Sequence, residues 1–118
     1  MPTTHNSDLA KQLWAAGDPV RLRILRLLPS TADCENENNV SALAVRLKLS
    51  QPTISHHLRV LRQAGLVTFR KMCRDVYYWT NPDAVAAMLA ELEGVFSEST
   101  TAAKKRPKGS KRAKKLKA

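Results

Sequence analysis

Carboxylates, cysteines and long apolar runs are all scarce in this chain, and each scarcity removes a class of explanation. Of its 118 residues only 10 are Asp or Glu, against 20 Lys or Arg. The formal net charge of +10 points to a polyanionic partner, either nucleic acid or an anionic membrane surface. Two cysteines, Cys34 and Cys73, cannot build a disulfide framework, and both are expected to be reduced thiols. The longest uninterrupted apolar run, Ala84 to Ala90, falls far short of the ~20 residues a membrane span needs. The polar first eight residues do not read as an export signal, so a cytoplasmic protein with no membrane partner is expected. A Gly-rich phosphate loop, a nucleophile elbow and a paired-carboxylate constellation are all missing, which argues against an enzyme.

The positive charge is unevenly spread. Nine Lys and Arg fall in residues 104–118, which hold no acid, so residues 1–103 carry a net charge of only +1. Any basic patch on the body must therefore be local. Composition divides the chain into a flexible arm (1–6), one folded domain (7–97) and a disordered Lys/Arg-rich tail (98–118).

Within the domain, Ser7 is positioned to cap a first helix that runs to about Ala16, where Gly17 ends it. Asp18-Pro19 starts a second helix, with Val20, Ile24, Leu27 and Leu28 as its main stripe. Leu22 and Leu25 lie off that stripe, which predicts a helix buried between neighbours. A polar loop around Cys34 follows. Val40-Ser41 then repeats a staple-and-cap pattern, with Val45 as staple partner and Leu43 and Leu47 facing inward.

Leu49 to Gly65 is the most informative stretch. Ser50 is a good N-cap, Pro52 falls where a missing donor is harmless, and Leu49 and Ile54 can form a staple. Gly65 supplies a left-handed stop. At about 100° per residue, Ile54, Leu58 and Leu61 share one narrow stripe. The rest is polar and holds no carboxylate. An ordinary surface helix mixes acids with its bases, so this face favours DNA. A short helix, a tight turn and this second helix predict a helix-turn-helix. His57 lies about 60° off the stripe and is expected to be packed and hydrogen-bonded. It diverges from His56 by about 100°, so the two make a poor metal pair.

After Gly65 the period changes. Leu66 to Arg70 and Val76 to Thr80 predict a hairpin joined by residues 71–75, with Arg70, Lys71 and Arg74 charging its tip. Its aromatics are expected to serve packing. Asn81-Pro82-Asp83 starts a last helix whose Val85, Met88, Leu89, Leu92 and Phe96 must be covered by something. The first and last helices are the natural pair for a dimer seam, the alternative being that both simply wrap the monomer core.

This order is that of a winged helix-turn-helix, mainly α with a small β-hairpin wing. Asp18-Pro19-x-Arg21-x-x-Ile24-Leu25-x-Leu27-Leu28 resembles the second-helix signature of the ArsR/SmtB family of bacterial repressors. Leu49-Ser50-Gln51-x-x-Ile54-Ser55-x-His57-Leu58-x-x-Leu61-x-x-Ala64-Gly65-Leu66-Val67 resembles its recognition helix and entry into the wing. Val76-Tyr77-Tyr78 resembles the returning wing strand. The resemblance implies a homodimeric, DNA-binding transcription regulator, a repressor on an inverted-repeat operator of double-stranded DNA. Carried over, Gln51, Thr53, Ser55 and His56 would meet base edges or nearby phosphates. Arg59 and Arg62 would meet phosphates, with Arg70, Lys71 and Arg74 of the wing near the flanking backbone.

The family's sensing sites do not carry over. Where many members have Cys-x-Cys, this chain has Asn39-Val40-Ser41, and its last helix has no His. Cys34 and Cys73 are left as candidates for a soft metal or metalloid inducer, with redox sensing as a second role for the thiols and no cofactor otherwise implied. The basic tail raises an alternative, a nucleoid-type protein binding DNA largely without regard to sequence.

Overall fold

The computed structural model describes residues 2–32, 38–72 and 74–102, with side chains described for 8–32, 38–72 and 74–97. Its elements are α1 (Pro2–Ala16), α2 (Pro19–Leu27), α3 (Val40–Leu47), α4 (Gln51–Gln63), β1 (Val67–Met72), β2 (Asp75–Thr80) and α5 (Pro82–Ala102). The strands form one antiparallel hairpin, so this is a helix-turn-helix carrying a wing.

Side-chain caps set most of the helix starts. The Asp18 carboxylate accepts from the amides of Val20 (2.9 Å) and Arg21 (3.1 Å). Ser50 Oγ accepts from Thr53 N at 3.2 Å, and Asn81 Oδ1 from Ala84 N at 3.2 Å. α3 departs from expectation. Its cap is Asn39, whose Oδ1 takes the Ala42 amide at 2.8 Å, and the supposed staple partner Val45 is 77% exposed. The Nδ2 group of Asn39 donates to Asp75 at 3.0 Å while its backbone bridges to Tyr77, so the hairpin selects this cap over Ser41.

α1 begins at Pro2, five residues before Ser7, and so runs through the stretch expected to be a loose arm. Proline suits a first helical position, and Thr3 to Asn6 contain no residue that stops a helix. α5 likewise continues past Ser97 to Ala102, a stretch that holds no Pro or Gly to break it. The rest of the tail lies outside the described residues.

The two helices of the helix-turn-helix end alike. After α3, Lys48 takes a left-handed conformation (φ 57°) and the Leu49 amide reaches back to Ala44 O at 3.0 Å. After α4, Gly65 does the same (φ 82°), with Leu66 N on Leu61 O at 3.1 Å. Glycine suits the second site, whereas Lys48 holds a backbone that L side chains rarely adopt.

The core lies between α2, α3, α4 and the wing base: Ile24, Leu43, Ile54, Leu58 and Leu61 are fully buried, joined by Leu28, Leu47, Leu66 and Val67. Of the two off-stripe leucines of α2, Leu25 packs half-buried against the core as expected, whereas Leu22 is 47% exposed. The wing is longer and its turn tighter than expected. Pairing runs from Val67↔Thr80 to Met72↔Asp75, so Lys71, Met72 and Asp75 belong to the ladder, and Leu66 precedes it. Its base is fastened to the body by Thr80 N on Pro29 O and closed by Asn81 N on Leu66 O, each 2.9 Å.

α1 and α5 pack on one another and reach the core through Ala15, Val85 and Met88, and Leu9 of α1 is buried as well. Both keep large apolar side chains in solvent, among them Trp14 (65%), Leu89 (55%) and Phe96 (65%).

Candidate nucleic-acid interface

The hydrophobic ridge of α4 determines which of its side chains can meet a ligand. With Ile54, Leu58 and Leu61 sealed inward, Gln51, His56, Arg59, Arg62 and Gln63 are exposed, and Thr53 and Ser55 are half-buried at the rim. This outward face carries two formal positive charges and no negative one. Ser50 Oγ also donates to Thr53 Oγ1 at 2.8 Å. The Thr53 hydroxyl is therefore partly engaged by the cap and keeps its own proton for a ligand.

The wing continues the positive surface. Arg70, Lys71 and Arg74 are exposed, and Arg74 adopts φ 70° in the turn. The guanidinium of Arg70 lies 5.8 Å from the centre of the Trp79 ring, and that of Arg62, from the end of α4, lies 4.8 Å over Phe69. Phe69 in turn stacks on its cross-strand partner Tyr78, with centroids 5.7 Å apart. Tyr77, midway along β2 and bridged to Asn39, is buried, so this aromatic serves packing as expected.

His57 is held as its spacing suggests. Its Nδ1 accepts from Arg21 Nη1 at 3.0 Å, which requires the neutral ring with the proton on Nε2. Burial pushes the ring below its ordinary value near 6.5, and the Arg21 and His56 charges push the same way against Asp18. The Asp18 carboxyl is itself lowered, chiefly by the hydrogen bond from the Arg21 amide. The folded chain therefore binds fewer protons at His57 than the unfolded chain does. Stability from this group is complete above about pH 6.5 and is lost as pH falls through the folded-state value. Urea unfolding at a series of pH values should show this loss, and His57→Gln, which keeps an acceptor but does not titrate, should flatten it. Equal pH dependence in the two proteins would contradict the assignment.

Sequence reasoning does not single out Arg21 as a buried anchor. It is 7% exposed, its Nε donates to Ala15 O at 2.5 Å, and its guanidinium lies 5.1 Å from the Trp14 ring centre. A signal exists: at about 100° per residue Arg21 sits within about 20° of Leu28, on the buried side of α2. Asn38 is also missed. It is 1% exposed, its side chain donates to Tyr78 O, and its carbonyl accepts from Tyr78 N at 3.2 Å, so it ties the approach to α3 to β2.

Among the described residues no group of three or more His, Cys, Asp or Glu is placed to hold a metal. The His56 and His57 rings lie with centroids 5.3 Å apart and planes tilted by 58°. Cys34 and Cys73, the candidate ligands for a soft metal or metalloid, lie outside the described residues. No helix among the described residues is long and apolar enough to cross a membrane.

Residues 18–68, from the start of α2 into β1, match the sequence model of the family described as "Bacterial regulatory protein, arsR family". The chain is 36% identical over 95 residues to the nodulation protein NolR of Rhizobium meliloti, covering 80% of this chain and 74% of NolR. It is 33% identical to a transcriptional repressor SmtB homolog of Synechocystis sp., covering 83% and 74%. Among solved structures, it is similar to a homodimeric winged helix-turn-helix DNA-binding domain from Mycobacterium bovis. That match has a TM-score of 0.62 and 28% identity, covering 83% of this chain and 86% of that one.

Proposed function

Because the chain belongs to the ArsR family of bacterial regulatory proteins, we propose that it is a dimeric, cytoplasmic transcriptional repressor whose α4 enters the major groove of an inverted-repeat operator. The observation that carries this reading is the exposed, carboxylate-free face of α4, held rigid by the fully buried Ile54, Leu58 and Leu61. Such a face presents donors and positive charge to a polyanion and nothing that repels it. The work of the protein is then binding and not catalysis.

Gln51, Thr53, Ser55 and His56, on the first two turns of α4, are assigned to base edges and adjacent phosphates. Arg59 and Arg62 are assigned to phosphates, and Arg70, Lys71 and Arg74 to the flanking backbone. Dimerisation through α1 and α5 covers Trp14, Leu89 and Phe96, which a soluble monomer would leave exposed. The related M. bovis domain is homodimeric, in keeping with that assembly.

The deciding experiment is the ratio of affinities for a selected operator and for random duplex at physiological salt. A ratio of about 10³ or more is expected. A ratio near unity would instead support a nucleoid-type coat, the reading favoured by the nine basic residues of 104–118. Substituting Gln51 or His56 by Ala should cost about 1–3 kcal/mol of operator affinity and relax base preference. If both variants keep wild-type affinity and selectivity, the docking is refuted.

A further inference from the structure

Arginine on an aromatic plane is a particular arrangement. The π face attracts the cation and narrows its rotamers, while the in-plane N–H groups remain free around its edge. Arg62 is exposed in the last turn of α4, and its guanidinium lies 4.8 Å over Phe69. Phe69 is a large apolar side chain left 45% exposed, and the body does not need it as core. It is braced from behind by Tyr78, stacked at an interplanar angle of 27° and paired with it across the strands. The chain of contacts Arg62–Phe69–Tyr78 thus links the end of α4 to the wing, the two elements assigned to one duplex. On the opposite face of the hairpin Arg70 lies over Trp79, so each face of the wing offers an aromatic platform to one arginine.

We propose that Phe69 is a positioning residue for DNA binding: it holds the Arg62 guanidinium flat against its ring, so that the free edge forks a backbone phosphate of the duplex that α4 enters. A planar fork suits the two oxygens of a phosphate, and a side chain already held loses less freedom on binding. The inference rests on the DNA reading above and deepens it.

The test uses the full chain, a short duplex enriched by the wild type from a random-sequence pool, and an unselected duplex of the same length. Affinities are measured by fluorescence anisotropy across a sodium chloride series. Phe69→Leu, which keeps bulk but removes the π face, should weaken both duplexes alike, by about three- to ten-fold. Phe69→Tyr should restore wild-type affinity. Arg62→Gln should lower the salt slope by about one. In that background Phe69→Leu should cost less than about two-fold, a non-additivity that mere loosening of the wing would not produce. The inference is overturned if Phe69→Leu costs as much without Arg62 as with it, or if Tyr fares no better than Leu. A wild-type chain that binds neither duplex overturns the DNA reading along with it, whereas binding with additive losses overturns this inference alone.

Discussion

Leu58→Ala is expected to destabilise the protein by about 3–5 kcal/mol, enough to leave much of the population unfolded near body temperature. Leu58 has no exposed surface and lies in the middle of the α4 ridge, with Ile54 one turn before it and Leu61 one turn after. It meets the core between α2, α3 and the wing base, and a close-packed interior relaxes only partly around a removed side chain. The cost is therefore the lost transfer energy of the removed carbons plus a cavity. Arg59, the next residue, is exposed, and Arg59→Ala should change stability by no more than about 0.5 kcal/mol while weakening DNA binding. Urea unfolding of both variants, read by far-ultraviolet circular dichroism, separates the two roles. A loss below about 1 kcal/mol for Leu58→Ala would mean that the ridge is not the clamp on which the exposed face of α4 depends.

How much of this is legible beforehand varies by element. α4 is legible because every signal that specifies it lies within residues 49–65: cap, proline, ridge and left-handed stop are local. The cap of α3 is not legible, because Asn39 and Ser41 are both good caps and the choice is made by Asp75 and Tyr77, about 36 residues away. The hairpin is legible in kind but not in length, since Lys71 and Met72 have little β propensity and enter the ladder through their partners Val76 and Asp75. Of the interface, the spacing gives which α4 side chains face outward. It does not give the Ser50 hydroxyl bonded to Thr53, or the stack of Arg62 on Phe69. Those depend on where a cap and a distant strand finally sit.

The same limit applies to Arg21, whose replacement by Met is expected to cost about 2–4 kcal/mol, although composition alone marks it as one more surface base. A buried guanidinium is tolerated only where its donors are used, and here they are. Nε serves Ala15 O, one of the last carbonyls of α1, which have no partner within their own helix. Nη1 serves His57 Nδ1 on α4, and the plane lies near the Trp14 ring. One side chain of α2 therefore fastens the end of α1 to the helix assigned to DNA. Met fills similar space but leaves the Ala15 carbonyl and the His57 nitrogen without their donor. Lys should recover only part of the loss, because one ammonium on a flexible stem does not reproduce a planar fork spanning both acceptors. A second readout isolates the contact with α4. Removing the Arg21 charge takes away one of the influences that lower His57, so the ring should titrate at a higher pH in Arg21→Met, as followed by its proton resonances. Operator affinity should fall with it, because α4 loses its tie to α1 and α2. A variant that keeps its stability within about 1 kcal/mol and leaves the His57 titration unmoved would show that the two helices are held together by the hydrophobic ridge alone.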